Sequence, residues 1–397
     1  MRTLILILIL IFGAIACDRQ EFGGRDSGGI LEPPKNSSPD PVGGNNSDNN
    51  FDDGSPGPPQ LGGFFGVALI NEASALGFET LGSHRSNVLY SPYSTAQKAA
   101  ALRALNDGDT SYGYALKELD SEIEGTSTMF FKASVWIHES VTPANASLLV
   151  EMGVEARLVD FKQAETARQR INNYYREVSA GKVTVALSSP LSPDTEIGLV
   201  DVSFFQDSWA QPFDANRTAP SRFFGFNSEF EVQMMEVEGS FQVQRTEAFD
   251  AVILPYEGGA TLTVIVPKDG EFDSVQALLG PTFLDSVAQR STTEFVQINL
   301  PKIDLDIRSN ELASAELGDW LAGEPNFNLS SAQRASISFD ESMTIAQNES
   351  APEDPSFGTP PADNRVVESI RVDRPFFFAI RDARQIPVLQ GQIARID

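Results

Sequence analysis

Two histidines, His84 and His138, and a single cysteine, Cys17, are all that this 397-residue chain offers for imidazole or thiol chemistry. A transition-metal site gathers several such ligands, so none is expected. Asp26-Ser27-Gly28-Gly29 imitates the nucleophile segment of trypsin-like proteases. It lies in low-complexity sequence, and neither histidine stands in a setting that marks it as the general base such a serine needs. Asp48-Asn49-Asn50-Phe51-Asp52-Asp53-Gly54 hints at a calcium loop, but its glycine falls one place late and no glutamate closes it. There is no glycine-rich phosphate loop or nucleotide fingerprint, so neither catalysis by the chain itself nor a cofactor is expected. A polar, proline-rich run from Glu349 to Arg371 lies between two segments that read as buried strands. A loop that long inside a compact domain is functional or disordered.

The flanking elements must hold that loop. Before it runs Ser336 to Ile345; after it come Arg374-Pro375-Phe376-Phe377-Phe378-Ala379-Ile380-Arg381-Asp382 and Val388-Leu389-Gln390-Gly391-Gln392-Ile393. Phe131, Ala133, Val135 and Ile137 alternate with Lys132, Ser134, Trp136 and His138, the period of a half-buried strand, which leaves His138 exposed. Val200, Val202 and Phe204 repeat that period, as do Val296, Ile298 and Leu300. Ile253 to Tyr256, Gly258-Gly259 and Thr261 to Val266 read as a hairpin. Ser94 can cap a helix through Leu105, stopped by Asn106-Asp107-Gly108; further helices are expected over Ala164 to Val178 and Asn310 to Leu321. The mixture is α+β.

Met1-Arg2-Thr3 and the apolar run Leu4 to Ala16 have the form of a signal peptide, too short for a permanent membrane helix. Residues 1-16 would be removed. Ala14-Ile15-Ala16-Cys17 resembles a bacterial lipobox, in which Cys17 is lipidated and becomes the mature N-terminus; a lone exported cysteine has no disulfide partner. Residues 17-62, rich in Gly, Pro, Asn, Ser and Asp, cannot bury enough apolar surface to offset their ordering entropy and read as a disordered tether. The expected location is the bacterial cell envelope, on the periplasmic face or the cell surface, with membrane contact through the lipid alone. A net charge of −26 repels nucleic acid and anionic lipid, and fits a soluble, acidic surface. The 41% hydrophobic residues suffice for a substantial core over 63-397.

Several separated segments follow one family pattern in order. They are Asn87-Val88-Leu89-Tyr90-Ser91-Pro92-Tyr93-Ser94 with Gly108-Asp109-Thr110, Ile171-Asn172-Asn173-Tyr174-Tyr175 with Gly181-Lys182-Val183, and Leu199-Val200-Asp201-Val202-Ser203-Phe204-Phe205 with Trp209, Phe213-Asp214 and Thr218. Met234-Met235, Leu254-Pro255-Tyr256, Val266-Pro267 and Leu300-Pro301-Lys302 continue it. The domain resembles the serpins. The resemblance implies a large central mixed or antiparallel sheet, two smaller sheets, about eight helices and an exposed reactive-centre loop, here 349–371. Thr110 to Phe130 is short for that pattern, so part of an early helix is expected to be missing.

The function implied is suicide inhibition of a serine or cysteine protease by a monomer: the protease cuts the loop, and the cut loop enters the large sheet as a new strand. The family's spacing from a hinge glutamate, read as Glu349, puts the reactive bond at Arg365-Val366, suited to an acidic, trypsin-like pocket; a slip of one residue moves it to Asn364. The hinge is then Glu349, Ser350, Ala351, Pro352, Glu353, Asp354 and Pro355. Proline cannot donate to a strand ladder and costs about 3 kcal/mol or more at a bad site, by analogy with helix interiors. A non-inhibitory binding or decoy protein is therefore the alternative. The family's polar cluster beneath the insertion point corresponds to Ser91, Ser94, Asp201 and Glu341, where two close carboxylates would share a proton. Trp209 is expected at the top of the opening sheet.

Overall fold

The computed structural model describes residues 61–81, 85–123, 129–143, 145–309, 327–344 and 367–396. Expectations for Cys17, His84, the signal and tether, the helix over Asn310 to Leu321, the hinge from Glu349 to Pro355 and the bond at Arg365-Val366 lie outside them.

The first helix, Leu61–Leu81 (α1), leads to a short strand, Val88–Tyr90 (β1), and to Pro92–Asp107 (α2). The cap of α2 is Ser91, three residues before the serine expected: its hydroxyl accepts the Ser94 N–H, and Pro92, which lacks an N–H, sits harmlessly in the first turn. Gly108, at φ 77°, ends the helix in the left-handed conformation that only glycine adopts without strain. Next come Ser111–Ile123 (α3), which fills much of the stretch expected to be short, then Met129–His138 (β2), Ala146–Glu151 (α4), Glu155–Val159 (β3) and Ala164–Val178 (α5). Ala167, Ile171, Tyr174 and Tyr175 make the buried stripe of α5, at spacings that return to one helix face.

The strands Ile197–Phe205 (β4), Asp207–Ser208 (β5), Ala219–Phe224 (β6) and Glu229–Arg245 (β7) follow, then the expected hairpin Phe249–Pro255 (β8) and Thr261–Pro267 (β9). Two short helices, Phe272–Gln276 (α6) and Pro281–Arg290 (α7), precede Thr292–Pro301 (β10), Ile303–Ser309 (β11) and Leu329–Phe339 (β12). Met343–Thr344 (β13), Ser369–Arg371 (β14), Phe376–Arg381 (β15) and Pro387–Ile393 (β16) complete the described chain. The fold is α+β, with seven α-helices among the described residues.

One sheet has the order β3-β2-β4-β12-β13-β5, with β11 on β12. The other, β1-β16-β15-β9-β8-β7-β10-β14 with β6 on β7, joins the two smaller sheets of the family pattern, because the 17-residue β7 pairs with β6 at one end and β8 at the other. β4 was expected to be half-buried and is buried on both faces. Val200, Val202 and Phe204 pack with α5, while Ile197 and Leu199 pack with α2. A strand roofed on both sides loses its polar alternation. His138 is likewise buried, not exposed: it ends β2 beside Phe161, and its Nε2 lies 3.3 Å from Asp160.

Candidate functional site

β4 and β12 lie side by side and parallel, in one unbroken register from Leu329 beside Ile197 to Ser336 beside Phe204. Their other neighbours, β2 on β4 and β11 on β12, are antiparallel. A strand placed in this seam would be antiparallel to both sides.

The chain begins to supply one. It leaves β12 at Phe339, well before the Ile345 expected from sequence, because Asp340 Oδ1 accepts from Ser342 N–H at 2.9 Å and closes a turn. Residues 209–213 pin that turn: Trp209 Nε1 donates to Asp340 O at 2.8 Å, Phe213 N–H to Glu341 O at 2.8 Å, and Trp209 N–H to Ser342 O at 3.2 Å. Trp209 is buried and stacked on Tyr256 at 4.6 Å, so the pin is rigid. After the turn, β13 runs back with Thr344 beside Phe339 on one side and Asp207 on the other. Two residues already stand between β12 and β5.

Glu341 does not join Ser91, Ser94 and Asp201. Its carboxylate meets Lys302 Nζ at 2.6 Å and Thr218 Oγ1 at 2.8 Å, at the turn. Burial pulls this carboxyl up, but the bonds from Lys302 and Thr218 outweigh it and hold it below its ordinary value. No pair of carboxylates shares a proton here.

The cluster under the seam is instead built from α2. Ser91 Oγ donates to Val388 O at 3.1 Å, tying the helix start to β16, and Ser94 Oγ meets Ser203 Oγ at 2.8 Å. One turn on, Lys98 Nζ forms an ion pair with Asp201, with side-chain exposures of 1% and 0%. Burial, the largest influence, pushes the Asp201 carboxyl up and the Lys98 charge pulls it back only in part. Gln333 of β12 stands beside Asp201 in the strand register. Lys98 and Gln333 were missed from sequence as partners; the signal for Lys98 was a lysine on a helix surface otherwise made of Ala96, Ala99, Ala100 and Leu102.

The sequence offered no serine and base together, yet folding brings Ser140 Oγ to 2.9 Å from His138 Nδ1. Ser140's own N–H also donates to that nitrogen at 3.1 Å, so the contact closes the turn after β2.

A family model described as "Serpin (serine protease inhibitor)" matches residues 78–396. The chain belongs to the serpin family. This serpin is 26% identical over 359 residues to the mouse protein Z-dependent protease inhibitor, covering 79% of this chain and 78% of the relative. It is 23% identical over 354 residues to mouse alpha-1-antitrypsin 1-2, covering 78% and 84%. With alpha-1-antiproteinase S of Cavia porcellus it shares 29% identity over 154 residues, 38% of each chain. Among solved structures, mouse protein Z-dependent protease inhibitor superposes with TM-score 0.70 at 20% identity, covering 84% of this serpin and 99% of that chain. Human thyroxine-binding globulin complexed with thyroxine gives 0.71 at 18%, covering 84% and 99%. These structures establish the fold.

Proposed function

We propose that this serpin is a suicide inhibitor of extracellular or periplasmic serine or cysteine endopeptidases. The observation that carries the reading is the parallel β4–β12 seam with β13 started at its top: a cut loop entering there would pair antiparallel to both β4 and β12. The pinned turn supports Glu341, in place of Glu349, as the hinge residue. The spacing that leads from Glu349 to Arg365 leads from Glu341 to Phe357, followed by Gly358. An aromatic residue at the cut fits an apolar specificity pocket, so the target favoured is chymotrypsin-like.

The hinge then runs from Glu341 through Thr344 and Ile345, and the residues that follow Thr344 into the seam are Ile345 to Ala351, with no proline before Pro352. Thr344, Ala346, Asn348 and Ser350 would share one face by strand alternation, all small enough to lie against α2. On this register Pro352, Pro355, Pro360 and Pro361 fall late, and the decoy reading loses its main support. The test is incubation with chymotrypsin and, separately, trypsin, followed by denaturing gels and mass analysis. An SDS-stable complex cut after Phe357 is expected. A stable complex cut after Arg365 would restore the hinge at Glu349, and clean cleavage by both proteases without a complex would favour the decoy.

The inhibitor is proposed to act as a monomer at the bacterial envelope, tethered by lipid on Cys17, with no role for nucleic acid. Among the described residues no helix is long and apolar enough to cross a membrane.

A further inference from the structure

Away from the seam, three turns meet around a cavity of about 520 Å³, the size of a small-molecule site. They leave β6 at Gly225-Phe226, leave β9 at Lys268-Asp269-Gly270, and enter β15 at Arg374-Pro375. Phe224, Phe226, Phe272, Pro267 and Pro375 give the cavity apolar walls. Phe226 and Phe272 stand at 90° with ring centroids 4.8 Å apart, and Phe272 packs on the buried Phe377 at 4.6 Å, so the aromatic wall is held in place. Arg85 lies over both rings, at 4.5 and 5.1 Å, and pairs with Asp273. Phe224 is left 45% exposed.

The lining also carries positive charge. Arg374 Nε donates to Asp373 at 3.0 Å, while the other oxygen of Asp373 takes Arg371 Nε at 3.2 Å. That anchor orients the guanidinium, whose Nη1 meets Asp269, a side chain that is 94% exposed. An ion pair to so exposed a partner is weak, and exchanging one carboxylate for another on the same guanidinium costs little. Lys268, whose Nζ reaches Asp250 at 3.6 Å, is the second cation of the lining. Acids outnumber bases 55 to 29 in this chain, so two cations at one apolar cavity are not a consequence of composition.

We propose that this cavity binds an apolar carboxylate, with the ligand's aromatic group against Phe224, Phe226 and Phe272 and its carboxylate taking the place of Asp269 on Arg374. Two perpendicular rings offer a third ring both a face and an edge, the arrangements that aromatic groups prefer. A planar guanidinium anchored through one nitrogen is pre-organised to bond a carboxylate. Lys268 adds an attraction that a neutral ligand would not feel. Asp269 is then the internal competitor, and removing its charge favours the ligand. The site needs neither the loop nor a cut, so it stands apart from the protease reading.

The test is isothermal titration calorimetry of the full chain with naphthylacetate, and with naphthylethanol as the neutral analogue. Wild type is expected to bind the acid with a Kd on the order of 100 µM and the alcohol at least about tenfold more weakly. Asp269→Ala should tighten the acid about threefold or more and Arg374→Met should weaken it about tenfold, while neither moves the alcohol. Phe224→Ser should weaken both ligands. A Kd for the acid weaker than about 1 mM, an alcohol that binds as well as the acid, or an acid affinity unchanged by Asp269→Ala or by Phe224→Ser overturns the proposal. Should Arg374→Met not fold, Asp269→Ala and Phe224→Ser decide, since both replace exposed side chains.

Discussion

At Glu341 burial and hydrogen bonding pull in opposite directions, and the bonds to Lys302 and Thr218 prevail. Because its native carboxyl titrates below the ordinary value of 4.5, the folded state binds fewer protons there than the unfolded chain. Its contribution is full above that ordinary value and disappears as pH falls through the native one. Glu341→Gln should therefore cost about 1–2 kcal/mol near neutrality, and the urea midpoints of variant and wild type should converge in acid. A constant difference at every pH would show that the charge is not what holds the turn. The sequence marked Ser91, Ser94, Asp201 and Trp209 because each sits in a run of recognisable neighbours. It misplaced Glu341, set with Ser91, Ser94 and Asp201, because a loop carries no period to fix its register.

Elements were legible where one periodicity ran unopposed. The α5 boundaries agree with Ala164 to Val178, and the β8–β9 hairpin forms around Gly258-Gly259 as the turn residues indicated. Burial was misjudged where an element is covered twice, as at β4, or where a strand end meets another chain segment, as at His138, since alternation reports only one neighbour. Backbone contact between elements is harder still to read. At Gly391 a Cβ would lie 2.1 Å from Val88 O and 3.0 Å from the Phe378 ring, so β1 can approach β16 only over a residue without a side chain. Gly391→Ala should destabilise the fold by about 2 kcal/mol or more, read as a lowered denaturation midpoint. A neutral substitution would mean that β1 contributes little to holding the sheet edge.

For the whole molecule, the seam predicts a change of state. If the cut loop fills it, one more strand of hydrogen bonds and buried contacts is added, and Tm after cleavage should rise by on the order of 20 °C. An unchanged Tm would mean that the loop stays outside the sheet. The anchor is tested separately: in cells carrying the full-length gene, the product should partition into detergent, and Cys17→Ala should move it to the aqueous phase.

The last strand, β16, lies between β1 and β15, and β1 opens the described fold after α1. Val88 waits for Gln392, and α1 waits for the same strand through the Ser74–Gln390 bond. A nascent chain emerging N-terminus first therefore lacks the partner that closes its opening elements until synthesis is nearly complete. Contacts so distant in sequence form slowly. The opening elements of the described fold, α1 and β1, therefore gain these contacts only after β16 has been made.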